Sequence, residues 1–148
     1  MQEQDAVLRR IVVGVDGSPA SVAALRWAVG QAHAVGAEVE AVTAWLHPSA
    51  PGWSGHPDDG DFGAGIARKV LDNAVAEATD PGRPVRTTTR VVKGGTVAAL
   101  PAAARGAELL VVGSRGHGGF TGALLGSVGQ HCVQHAPCPV VVVRHDAP

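Results

Sequence analysis

The stretch "RIVVGVDGSPASVAALRWAVGQAHAVG", residues 10–36, decides the fold. It opens on a short run of β-branched apolar residues, 10–15, without polar alternation, the pattern of a strand buried on both faces. "DGSPAS" breaks the run. Ser18 followed by Pro19 is a helix start: the serine caps an unpaired N–H, and the proline suits the first helical position. Val22, Leu25, Val29 and Ala32 then recur at helical spacing, and Gly36 supplies the stop. "EVEAVTAW", 38–45, is a second strand.

The alternation continues downstream. Residues 46–63, "LHPSAPGWSGHPDDGDFG", carry three prolines, four glycines and three aspartates and read as one long loop. Ile66, Val70, Ala74, Val75 and Ala78 predict the next helix, ended by "DPGRP". In "VRTTTRVV", Val85, Thr87, Thr89 and Val91 alternate with Arg86, Thr88 and Arg90, so this strand has one wetter face and lies near a sheet edge. "TVAALPAAARG" is a helix whose Pro101 predicts a kink or a late start. "AELLVVGS", a helix over 126–136 and the strand "CPVVVVR" complete the chain. The order β-α-β-α-β-α-β-α-β predicts an α/β fold with an open parallel sheet and helices on both faces.

The 148 residues suit one domain, 1–148, with a flexible start over about 1–8. The net charge is −1, and ten Arg and two Lys (Lys69, Lys93) are scattered, so no field favours nucleic acid or an anionic membrane. No apolar run is long enough to cross a bilayer and no secretory leader opens the chain, so the expected location is the cytoplasm, with Cys132 and Cys138 reduced.

A second stretch carries the chemistry: "VVGSRGHGGFTGALLGSV", 111–128. Its spacing is Gly113-x2-Gly116-x9-Gly126-Ser127. A glycine-rich turn brings backbone N–H groups close to a ligand, and a helix opening at Gly126-Ser127 offers N–H donors and a partial positive charge, a combination that suits phosphate. A plain flexible loop or simple helix capping accounts for the same glycines. There is no G-x-x-x-x-G-K-[ST], and "GVDGSP" departs from the dinucleotide fingerprint.

On "IVVGVDGSPASVAALRWA" and "LLVVGSRGHGGFTGALLGSVGQHCVQHAPCPVVVVR" the chain resembles the universal stress protein family essentially end to end. The resemblance implies a five-stranded Rossmann-like sheet in order 3-2-1-4-5. In the nucleotide-binding branch of that family the glycine motif cradles ATP. Carried over here, it implies ATP-binding residues Asp16, Gly17, Ala44 (or its neighbour Thr43), Gly113, Arg115, Gly116, Gly126, Ser127 and Val128. A triphosphate brings a divalent cation, Mg2+ or Mn2+. The resemblance also implies a homodimer through the last strand, Val140, Val141, Val142 and Val143; four valines on a bare edge would otherwise template aggregation.

The expected function is an ATP-binding, dimeric regulator of the cellular stress response, acting on an unidentified protein partner. A slow ATPase or autophosphorylating enzyme, and a dimeric interaction module without nucleotide, are the alternatives. No catalytic or metal-binding residue is assigned. His117 lacks a neighbouring carboxylate to orient it as a base, and His131 and His135, four apart, lack a third ligand and read as exposed helix positions. Cys132 and Cys138 and Trp27 read as packing residues, Trp45 as a wall of the adenine pocket, and Trp53 as a residue able to close over it.

Overall fold

The computed structural model describes residues 9–45, 59–114 and 126–144. Arg115, Gly116, His117 and Trp53, and most of the long loop, lie outside the described residues. Among the described residues nine elements alternate: β1 (Arg10–Gly14), α1 (Pro19–Val35), β2 (Glu38–Trp45), α2 (Asp59–Ala78), β3 (Thr87–Lys93), α3 (Thr96–Ala103), β4 (Leu109–Gly113), α4 (Ser127–His135) and β5 (Val140–Val143). The strands form one sheet in order β3-β2-β1-β4-β5, and every neighbouring pair is parallel. This is the parallel α/β fold that the alternation of elements predicts, in the sheet order 3-2-1-4-5 that the resemblance implies.

Strand alternation divides the core into two layers. Ile11, Val13, Val39, Ala41 and Val111 face one side, where Leu25, Ala28 and Val29 of α1 and Leu71 and Ala74 of α2 cover them. Val12, Val42, Leu110 and Val112 face the other, under Leu100 and Ala103 of α3 and Cys132 of α4. Fully burying a Leu or Ile side chain contributes about 1.5–3 kcal/mol, so Ile11, Leu25, Leu71 and Leu110, none of them exposed, anchor both layers.

Local signals place α1 well. Ser18 is its N-cap and accepts from the Ser21 N–H, Pro19 is its first residue, and Gly36 ends it at φ 74°, where its N–H bonds the Ala32 carbonyl. β3 lies at the sheet edge with alternating half-buried and exposed residues, as its sequence predicts.

Four expectations need correction. α2 already begins at Asp59, inside the stretch predicted as a loop over 46–63. The buried stripe of α2 is Ala67, Leu71, Ala74 and Ala78, while Ile66 is 51% exposed. Trp27 is 38% exposed, because α1 buries the face formed by Val22, Leu25, Ala28, Val29 and Ala32. Pro101 does not delay α3, which starts at Thr96 behind the N-cap Gly95. The helix instead stops two residues after the proline, and the Ala104 N–H closes it on the carbonyls of Leu100 and Pro101.

Candidate functional site

The chain winds from β1 outward to β2 and β3, then crosses to β4 and β5 on the other side. The winding therefore reverses between β1 and β4, and ligands of open α/β sheets bind beyond the carboxyl ends of the strands at that point. Three backbone segments meet there.

The first is the turn after β1. The Val15 N–H bonds the Val42 carbonyl at 2.8 Å, and Thr43 Oγ1 donates to the Val15 carbonyl at 2.7 Å. Thr43 is buried, so this hydroxyl ties down the end of β1 from the neighbouring strand. Asp16 follows, exposed; its Oδ1 accepts from the Ser18 N–H at 2.9 Å and its own N–H donates to Ser21 Oγ at 3.2 Å. Gly17 takes φ 84°, in the left-handed region, which gives "DGS" a glycine in the middle for a conformational reason. The carboxylate thus shapes its own turn while remaining at the surface.

The second segment is the end of β2. Backbone groups on a strand point to alternate neighbours. The Val42 carbonyl bonds towards β1 and the Trp45 carbonyl bonds Gly94 of the β3 side at 2.7 Å. By that alternation the N–H and C=O of Ala44 point towards β1, whose last paired residue, Gly14, is matched with Val42. Ala44, rather than Thr43, therefore presents backbone to the crevice. The Trp45 ring lies beside Gly63 of α2, where an added Cβ would come within 3.4 Å.

The third segment is the glycine-rich stretch. It leaves β4 at Ser114, whose N–H bonds the Val143 carbonyl at 2.9 Å, and returns at Gly126, whose N–H bonds the Ser114 carbonyl at 2.8 Å. The two ends of the loop are thereby joined, and α4 starts at the crevice. Gly126 is its N-cap at φ −66° and ψ 165°, which any residue adopts, and as a glycine it offers no side-chain cap. The first N–H bonded within the helix is that of Gln130, to the Gly126 carbonyl at 2.9 Å. The N–H groups of Ser127, Val128 and Gly129 precede it. Ser127 is exposed, whereas the Val128 side chain packs into the α3–α4 layer, leaving only its backbone for a ligand.

Gly113 has a different role. A Cβ there would stand 2.8 Å from the carbonyl carbon and oxygen of Ala20, in the first turn of α1. The glycine lets β4 and α1 approach backbone to backbone. Sequence reading missed this, and it missed Thr43 Oγ1 and Ser21 Oγ as supports of the β1 turn. A hydroxyl in an apolar strand and another in a helix's first turn are visible signals, but their acceptors come from tertiary structure.

Beneath α4, Cys132 is fully buried, and burial pushes its thiol from 9.0 up to about 11. Burial also raises the half-buried Cys138, with the Arg10 guanidinium opposing that shift. At pH 8 iodoacetamide should alkylate Cys138 at least about tenfold faster than Cys132, which peptide mass spectrometry reads directly. Because the folded pKa of Cys132 lies above its unfolded value, its contribution to stability is complete below pH 9 and is lost as pH rises towards 11.

Among the described residues no group of three His, Cys, Asp or Glu could hold a metal ion, and no helix is long and apolar enough to cross a membrane. The Universal stress protein family matches residues 8–144. The universal stress protein Rv2624c of Mycobacterium tuberculosis is 33% identical over 142 residues, 95% of this chain and 50% of that protein. The chain spans about half the length of the curated relatives it matches. Among solved structures, the universal stress protein UspA from Lactobacillus plantarum superposes with a TM-score of 0.76 at 25% identity, covering 95% of this chain and 100% of that one. A universal stress protein in complex with cAMP superposes with a TM-score of 0.63 at 30% identity, covering 93% and 97%.

Proposed function

The chain belongs to the universal stress protein family, and on that premise we propose that it binds an adenine nucleotide in the crevice between the ends of β1 and β4. The observation that carries this reading is the N-terminus of α4, set at the crevice behind a glycine N-cap that offers no side-chain acceptor. Three successive N–H groups and the helix dipole suit a phosphate there. Ala44 offers backbone donor and acceptor to the adenine edge, and Asp16 sits at the surface of the turn where ribose would lie. Gly113 and Gly17 shape the walls, and Arg115 and Gly116 complete the phosphate loop. A relative's complex with cAMP supports the adenine class; the resemblance of the G-x2-G-x9-G-S stretch to the ATP-binding branch of the family favours ATP. A divalent cation would arrive on the phosphates, with the Asp16 carboxylate of the β1 turn beside it.

The protein so read is a cytoplasmic regulator of the stress response, acting on a protein partner. Its free thiols suit a reducing compartment. It forms a homodimer through β5, which lies at the sheet edge with all four valines half-buried. Val141 and Val143 pack towards one layer and Val140 and Val142 towards the other. A second β5 would pair this edge and cover it.

Thermal unfolding in ATP, with and without Mg2+, tests the site. At a hundredfold excess over Kd the native state should gain about 2.7 kcal/mol. Ser127→Ala, an exposed change that removes one hydroxyl, should weaken binding by about 1 kcal/mol, roughly fivefold. Gly126→Val should abolish the shift. Nucleotide-free protein that shows no shift with ATP, and none with cAMP, overturns the proposal.

A further inference from the structure

Outside the crevice, the last two turns of α4 bring two imidazoles together. His131 and His135 lie four residues apart in "SVGQHCVQH", and their ring centroids are 4.3 Å apart with planes tilted by 35°. The helix is regular on both sides of the pair: Gln130 N–H bonds the Gly126 carbonyl and Ala136 N–H bonds the Cys132 carbonyl, each at 2.9 Å. The spacing is therefore that of an α-helix, which stacks residues i and i+4 on one face. Cys132 points the other way, fully buried in the core. His131 is half-buried and His135 exposed.

From this pair we infer that α4 carries a two-histidine site for a borderline transition-metal cation of the Zn2+ or Ni2+ class. Imidazole nitrogens bind such ions at about 2.0–2.1 Å, which places each ring centroid roughly 3.2 Å from the metal. Two ligands at a right angle on the ion then have centroids about 4.5 Å apart, and two at the tetrahedral angle of Zn2+ about 5.2 Å apart. The observed 4.3 Å is within a few tenths of an ångström of the right-angle value, which favours Ni2+ over tetrahedral Zn2+ at this pair. Imidazole selects Zn2+, Ni2+ and Cu2+ over Mg2+ and Ca2+, which prefer oxygen ligands. Among the described residues no third ligand joins the pair, so water fills the remaining positions and the bound ion stays open to a further donor. The metal would brace the C-terminal turns of α4, and it requires no nucleotide.

Calorimetric titration of untagged full-length protein with Ni2+ tests this. His131→Gln and His135→Gln should each weaken the tightest binding event at least tenfold, and the double variant should weaken it no further than either single change, because a chelate is lost whole. His33→Gln, a lone histidine in the last turn of α1, should leave it unchanged. Far-UV circular dichroism should be unaltered in all four variants. Single variants that keep the wild-type affinity, or a double variant whose loss is the sum of two independent small ones, would overturn the inference.

Discussion

Gly113→Ala is expected to destabilise the fold by about 2–3 kcal/mol, although it adds a single methyl group at a position with no unusual backbone angle. The reason is what the methyl would meet. Its Cβ would lie 2.8 Å from both the carbonyl carbon and the oxygen of Ala20 and 3.0 Å from the Ala20 Cβ. These are mostly backbone atoms in the first turn of α1, a turn held by the Ser18 cap and its bond from Ser21 N–H. A side chain can rotate away from such contact; a capped helix end can only shift as a unit, and α1 is bound to the sheet by Leu25, Ala28 and Val29. The loss should lower Tm by roughly 4–12 °C. Gly65→Ala is the matching control. Gly65 lies inside α2 with nothing within 4 Å of the added Cβ, so alanine should raise stability by about 0.5–1 kcal/mol. The same substitution thus has opposite signs at two glycines. If Gly113→Ala left Tm unchanged, the close approach of β4 to α1 would be wrong. The result also bears on the site: a Gly113 variant that fails to bind nucleotide reports on packing before it reports on phosphate contact.

Leu71→Ala should remove about 3–4 kcal/mol, the range for deleting a fully buried leucine whose surroundings relax only in part. Leu71 packs beneath α2 in the layer shared with Leu25, Val39 and Ala74. Ile66→Ala, on the same helix but at a position 51% exposed, should stay within about 0.5 kcal/mol of wild type. Denaturant unfolding of the two variants decides between the two phases of α2. The pattern Ile66, Val70, Ala74 read from the sequence predicts the reverse ranking; the burial of Ala67, Leu71, Ala74 and Ala78 predicts this one.

α2 shows why one part of the fold was legible and another was not. Its existence follows from apolar residues at helical spacing, which any stretch of chain reports about itself. Its phase does not, because both Ile66–Val70 and Ala67–Leu71 satisfy the same period. Which set is buried depends on where α1 and β2 lie, and alanines at 67, 74 and 78 allow α2 to come close to its neighbours. Trp27 is the same case on α1: the largest side chain on the helix lies outside the buried stripe that small residues form against the sheet.

The sequence by itself determined the order of the nine elements, the cap at Ser18, the stop at Gly36, the polar face of β3 and the glycine stretch between β4 and α4. Each is a matter of near neighbours: a hydroxyl within reach of an N–H three residues on, a left-handed turn only glycine enters freely, a period of two or of 3.6. Tertiary structure alone decided that Gly113 is spaced against Ala20, that Thr43 holds the end of β1, and that Ala44 turns its backbone to the crevice. Those facts depend on atoms brought together by the packing of the sheet and its helices, and local propensity carries no information about the space between segments distant in the chain.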